Sequence, residues 1–470
     1  MDARELAYAG IARQAELIRA REISSRELVE LYLERIARLD RGLNAFRVVW
    51  GDRVLSDADD ADRRRSAGER APLLGVPIAV KDVSDVAGDI TSFGTGGFDA
   101  AASADSEIVA RLRAAGAVLI GKVNLPELAI YGFTESRTWG VTRNPWDPRR
   151  SPGGSSGGSG TAVAAGLVGA ATGSDGAGSI RIPAANCGLF GLKPQRGRIS
   201  LAPMAEHWHG LSVSGCLTRT VRDTALFLDA TAGGVVGDAE TPPAPDRPFV
   251  EAAARPPSRL RIAVTIGPPR LAAPPIVDEV VRRASETTAE LLRSLGHDVR
   301  DRGPEYGLVG NGFVALYLRG IHDDVRAVPH PERLESRTRG FGRLGAMVTP
   351  GALRRARAAI PKHAARIDRL FEDHDVLLTP TVGCPPVEVG RWDGRGALRS
   401  VVGMGRVYPF TGVWNYTGHP AAAVPAGFTA EGLPLSVQLV GRPNDEATLL
   451  SLAAQIEAER PWADRTPPLE

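Results

Sequence analysis

Apolar positions recur at two spacings along the chain, and the spacing switches several times. In SSRELVELYLERIARLD (24–40), Leu28, Tyr32, Ile36 and Leu39 fall on one helical face, and Ser24 followed by Glu27 has the spacing of a capping box. Two helices are therefore expected to open the chain and to clasp the main body over about residues 1–45. GVPIAVKD (75–82) is a short apolar run after a turn glycine and reads as a buried strand that ends at Lys81 and Asp82. SEIVARLRAAGAVLIGK (106–122) reads as helix, glycine stop and buried strand, and TAELLRSLGHDV (288–299) repeats that order. In LSVQLVGRPNDEATLLSLAAQIEAE (435–459) the strand comes first. This alternation predicts a mixed α/β fold, with a sheet covered by helices. Residues 233–259 are rich in proline and glycine without sustained periodicity, so they read as a long connection, not a packed element. That connection would separate a catalytic half from a C-terminal return segment completing the same sheet, within a single domain over residues 1–470.

Composition narrows the class. Hydrophobic residues make 43% and charged residues 24% of the 470, which is ordinary for a soluble globular protein. The outliers are 53 glycines and 35 prolines, which predict a loop-rich enzyme with many tight turns. A formal charge of +2 gives no electrostatic case for nucleic acid, and the Arg-rich runs at 62–66 and 353–359 read as solvated helix faces. Cys187, Cys216 and Cys384 form neither an even disulfide set nor a zinc spacing, so a reducing compartment is expected, and no metal or cofactor. The N-terminal stretch is charged throughout, unlike a signal peptide, and no run is long and apolar enough for a membrane span. A cytoplasmic protein, homodimeric on base rates, follows.

Candidate chemistry gathers at SPGGSSGGSGTAVAAG (151–166), where six glycines surround five serines or threonines. A phosphate loop is the first thought, but no Lys-Ser or Lys-Thr closes the stretch, and the dinucleotide pattern lacks its preceding strand. Downstream, in ATGSDGAGSIRIPAANCGLFGLKPQRGRIS (171–200), Gly176, Ala177 and Gly178 leave the backbone almost bare before Ser179. Successive N–H groups there suit a small anion, as the tetrahedral intermediate of acyl transfer requires, and Ser179 is the natural nucleophile. None of the eight histidines stands in a pattern tied to this loop, whereas Lys81, at the end of a buried strand, becomes a base if burial lowers its pKa.

These segments, together with NYTGHPAAAVPAG and GLPLSVQLVG near the end (415–441), resemble the amidase signature family of serine amidohydrolases, in the family's order and over nearly the whole chain. The resemblance implies the α/β amidase signature fold, a central mixed β-sheet covered by helices on both faces, and a Ser-cisSer-Lys triad: Ser179 as nucleophile, Ser155 as the bridging serine after a cis peptide bond, and Lys81 as base. It also implies an oxyanion hole made by the N–H groups of Gly176, Ala177, Gly178 and Ser179. Supporting roles fall to Ser156, through a hydrogen bond to Lys81, and to Ser174, Asp175 and Arg181, the last two read as a structural ion pair. The implied activity is hydrolysis of a small-molecule carboxylic acid amide through an acyl-enzyme, with esters, anilides or carbamates also within reach of the same oxyanion hole.

The chain departs from the family at Ser174 and Ala177, where the family most often has threonine and glycine; the donor at 177 is backbone, so function is expected to survive. The A subunit of a glutamyl-tRNA(Gln) amidotransferase is an alternative, but it usually reads Lys-Pro-Thr-Tyr-Gly-Arg where this chain has KPQRGR (193–198). A non-catalytic binding protein of the same fold is disfavoured because all three triad positions are occupied. Cys187 reads as a buried core thiol, and His207 and His209 as a weak metal motif or a pocket rim. Trp414, Asn415 and Tyr416 divide evenly between core packing and lining an acyl pocket, whose other walls are expected from 201–215 and 310–350.

Overall fold

The structure, a computed structural model, describes residues 1–269 and 273–469. Its strands in chain order are β1 (Phe46–Val49), β2 (Pro77–Lys81), β3 (Val118–Val123), β4 (Glu135–Ser136), β5 (Gly140–Val141), β6 (Ala170–Asp175) and β7 (Gly191–Lys193). They continue with β8 (Val213–Thr218), β9 (Arg261–Val264), β10 (Asp298–Asp301), β11 (Val376–Pro380), β12 (Ala421–Phe428) and β13 (Pro434–Gly441). β4 and β5 form a small hairpin of their own, and the rest make a five-stranded array, β1-β3-β2-β6-β8, and a six-stranded one, β10-β9-β11-β13-β12-β7.

Phe190 and Thr218 exchange both backbone hydrogen bonds, at 3.1 and 3.3 Å, and so join β8 to the β7 edge. The two arrays thus run on as one mixed sheet. Every residue of β2, β3, β8 and β13 is buried. Since successive side chains point to opposite faces, full burial requires cover on both sides, and helices supply it. β2 runs parallel to β3 and β6, so the C-terminal ends of β2 and β6 open at the same edge of the sheet. No helix among the described residues is long and apolar enough to cross a membrane.

The capping box at Ser24 is present: Glu27 N donates to Ser24 Oγ at 3.1 Å, and Ser24 N donates to Glu27 Oε2 at 2.7 Å. The helix Ser25–Leu43 that follows buries Leu28, Tyr32 and Ile36 as its periodicity requires. Ahead of it stand two helices, Ala3–Tyr8 and Gly10–Arg19, where the pattern predicts one. The break falls at Gly10, with φ +75°, packed so closely on the Asp223 carboxylate that no side chain fits. Ala12 N donates to that carboxylate at 2.8 Å, so a distant aspartate, invisible to local periodicity, sets the break. The connection 233–259 also differs from expectation, because it contains the short helix Phe249–Ala253. Phe249 is buried in the core, and its N–H donates to Asp229 Oδ1 at 2.7 Å, anchors that a five-residue element cannot announce by periodicity.

Candidate active site

β2 ends at Lys81, which is wholly buried. Its backbone N–H donates to Thr172 Oγ1 on β6 at 2.7 Å, fixing the strand end. Its Nζ stands 2.8 Å from Ser155 Oγ and 2.8 Å from Ser174 Oγ. Burial lowers its pKa from the ordinary lysine value to about 7, against a smaller upward pull from Asp175. An amine in this state accepts a proton from a neighbouring hydroxyl near neutral pH.

Ser155 comes from the glycine-rich loop that enters the helix Gly157–Ala164, and the Gly154–Ser155 peptide bond is cis. The glycines permit close backbone approach. A Cβ at Gly154 would stand 2.6 Å from Phe133 N and Tyr131 O, and one at Gly158 would stand 2.5 Å from Asn124 N and O. The loop is thus wedged between neighbouring main chains, with Ser155 aimed at Lys81. Ser156 points elsewhere. Its Oγ donates to Ser174 O at 3.3 Å, and its N–H donates to Ser179 O at 3.2 Å. The expected Ser156–Lys81 hydrogen bond is therefore corrected: Ser174 fills that place, because the side chains of 155 and 156 diverge and β6 carries Ser174 directly to the amine.

Ser179 follows β6 across a tight turn and precedes the helix Arg181–Cys187. Its hydroxyl has no hydrogen-bond partner among the described residues, and its side chain lies on the wall shared by two cavities. The backbone N–H groups of Gly176, Ala177 and Ser179 likewise find no acceptor among the described residues. The fourth expected donor is not free: Gly178 N donates to Asp175 Oδ1 at 2.7 Å, so it is not available to the expected oxyanion hole.

Asp175 and Arg181 form the buried ion pair expected of them, at 2.9 Å. Burial pushes the Asp175 carboxyl up, and the Arg181 guanidinium overcomes this and holds it well below the usual carboxylate range. All five Arg181 side-chain donors are used: Nε and Nη2 on Asp175, Nη2 also on Asn415 Oδ1, and Nη1 on Thr411 O and Gln438 Oε1. Asn415 Nδ2 completes the cage on Asp175 O at 2.7 Å.

The first cavity, about 320 Å³, is apolar, with walls from Tyr131, Ile182, Phe313, Leu344, Val402 and Met404 and a floor that includes Ala177 and Ser179. The second, about 260 Å³, holds Ser155, Ser174, Gly176 and Ser179 together with His207, Ser212 and Asp324. Of the two segments expected as walls, 310–350 lines the first cavity and gives Asp324 to the second, whereas 201–215 lines the second alone. The helix Ala397–Val407, a wall of the first, was missed, although its apolar stripe is readable once its register is known.

Asn415 holds Asp175 and Arg181, Trp414 is core, and the Tyr416 hydroxyl donates to Ala356 O, so none of the three lines the first cavity. Cys187 is buried, with its thiol pushed up by desolvation. The two histidines diverge onto different carboxylates, His207 onto Asp324 and His209 onto Asp323.

The amidase family profile matches residues 27–450. A Mycobacterium tuberculosis protein named "Putative amidase AmiB2" is 51% identical over 468 residues, covering 99% of each chain. The 6-aminohexanoate-cyclic-dimer hydrolase of a Pseudomonas species is 36% identical, over 97% of this chain and 96% of its own. A solved 6-aminohexanoate cyclic dimer hydrolase complexed with substrate superposes with a TM-score of 0.91 at 33% identity, over 98% of this chain and 99% of its own. A bacterial aryl acylamidase superposes with a TM-score of 0.85 at 26% identity, over 96% of each. Matched in sequence and fold along nearly its whole length, the chain belongs to the amidase signature family and is an amide-hydrolysing enzyme.

Proposed function

We propose that the chain is a free-standing serine amidohydrolase in which Lys81, Ser155 and Ser179 relay a proton. One observation carries the reading: a wholly buried amine, its pKa brought to about 7, stands 2.8 Å from the Ser155 hydroxyl in the wall that also holds Ser179. When substrate fills the site, the unpaired Ser179 hydroxyl turns onto Ser155. Lys81 takes the Ser155 proton as Ser155 takes that of Ser179, and Ser179 Oγ bonds to the carbonyl carbon. The oxyanion lies on the N–H groups of Gly176, Ala177 and Ser179; spoiling one such donor costs roughly 10²–10³ in rate. The carbon–nitrogen bond then breaks, and the proton on Lys81 passes through Ser155 to the leaving nitrogen. Water repeats the sequence on the ester and regenerates Ser179.

The apolar cavity suits an aliphatic or aryl acyl group, in keeping with relatives named for a cyclic amide dimer and for aryl acylamides. The Phe190–Thr218 junction supports one domain over the whole chain, and three free thiols support a reducing, cytoplasmic setting.

Kinetics on a panel of aliphatic, aryl and peptide amides test the reading. Ser179→Ala is expected to abolish turnover, and Lys81→Ala to lower kcat/KM roughly 10²–10⁴-fold. Rates like those of the unaltered protein in either variant contradict it.

A further inference from the structure

The second cavity carries a hydrogen-bonded chain that the proposed hydrolysis does not use. Trp208 Nε1 donates to Asp324 Oδ2 at 2.6 Å, and His207 Nε2 lies 3.1 and 3.2 Å from the two oxygens of the same carboxylate. His207 Nδ1 lies 3.0 Å from Ser212 Oγ. Asp324 belongs to the helix Val309–Ala327, whereas His207 and Ser212 come from the segment 201–215. A Cβ on Gly176 would stand 3.0 Å from Ser212 Oγ, so this hydroxyl sits against the oxyanion cradle.

With Asp324 ionised and His207 neutral, the donor and acceptor roles along the chain follow. An ionised carboxylate only accepts, so His207 Nε2 carries the hydrogen that faces Asp324. In the neutral imidazole, Nδ1 is then bare and accepts the O–H of Ser212. Serine has one O–H. With that donated to the ring, Ser212 Oγ offers the cavity lone pairs alone. A substrate oxygen gives it nothing to accept, whereas a substrate N–H does.

Backbone strain marks the same place. Phe93, Leu128, Ala129 and Trp208 line this cavity with φ of 48°, 51°, 55° and 50°. Each such non-glycine conformation is strained and persists where surrounding structure enforces it, typically at ligand sites. The direction of departure follows from the relay. Ser155 and Ser174, the Lys81 partners, line this cavity and not the apolar one, so the leaving nitrogen is protonated from this side.

We infer that Ser212, oriented by His207 and Asp324, accepts a hydrogen bond from an N–H of the substrate's amine half, which makes N-substituted amides preferred over the matching esters. This rests on the amidase reading above. Ser212 is the binding residue, and His207 and Asp324 are positioning residues that act through it.

The test compares kcat/KM for the anilide that the unaltered protein turns over best with kcat/KM for the phenyl ester of the same acid. In Ser212→Ala the amide-to-ester ratio is expected to fall about tenfold or more, because a site that pairs a substrate N–H discriminates by that pairing. In His207→Phe the ratio falls by less, since Ser212 keeps its oxygen and loses only its orientation. Ester turnover in each variant reports an intact fold and an intact Ser179. An unchanged ratio in Ser212→Ala, or amide and ester rates falling together, overturns the inference and leaves amide hydrolysis standing. If the unaltered protein hydrolyses neither class and Ser179 resists acylation, the amidase reading fails, and this inference with it.

Discussion

At the scale of single residues, the account turns on how three buried lysines differ. Lys122 pairs with Asp82 at 3.2 Å, and Lys193 donates to its neighbour's carbonyl, Pro194 O, at 2.7 Å. Lys81 alone of the three places its amine on hydroxyls that border a cavity, with no carboxylate in contact among the described residues. Burial then sets its chemistry. The folded-state pKa of about 7 lies below the ordinary lysine value, so Lys81 is neutral above that pH and charged below it. Only the neutral amine takes a proton. The pH profile of kcat/KM is therefore expected to fall on the acid side with a midpoint near 7. A profile flat through that value contradicts the assignment. Lys81 was legible from sequence because a charged residue closing an apolar run stands out. The choice between Ser156 and Ser174 as its second partner was not, since it depends on where two adjacent side chains point after the loop turns.

At the scale of elements, the helix Arg181–Cys187 is tied to segments far along the chain. Arg181 uses its planar fork to bind Asp175 beside it and Asn415, Thr411 and Gln438 from the return segment. Arg181→Met leaves the Asp175 carboxylate buried without its partner. Breaking a buried pair on one side costs about 3–5 kcal/mol, and a lower urea midpoint is the expected result. An unchanged midpoint contradicts this role. The ion pair itself was anticipated, as the structural reading of Asp175 and Arg181 beside the nucleophile segment that the resemblance marks. Its far partners were not, although a glutamine inside the apolar run LSVQLVG is the kind of buried polar residue that signals a required contact. The same limit explains Gly10 and Phe249: each answers to an aspartate that local periodicity does not see.

At the scale of the whole molecule, the alternation of helix and strand was sufficient to predict an α/β fold with a sheet covered by helices, because buried strands and amphipathic helices leave strong local signals. The order of the strands was not readable. It depends on pairings such as β7 with β12 and on the Phe190–Thr218 bridge, which close over long separations. That closure brings the return segment under the Ser179 turn and leaves Ser179 lining two cavities, the second of which also holds Ser155, Ser174 and His207. The central claim is that a buried amine activates Ser179 through Ser155. Treatment with an alkyl fluorophosphonate, followed by peptide mass spectrometry, tests it most directly. The account predicts one phosphonyl adduct on Ser179, absent in Ser179→Ala and formed much more slowly in Lys81→Met; labelling at another residue, or equal rates with and without the amine, would contradict it.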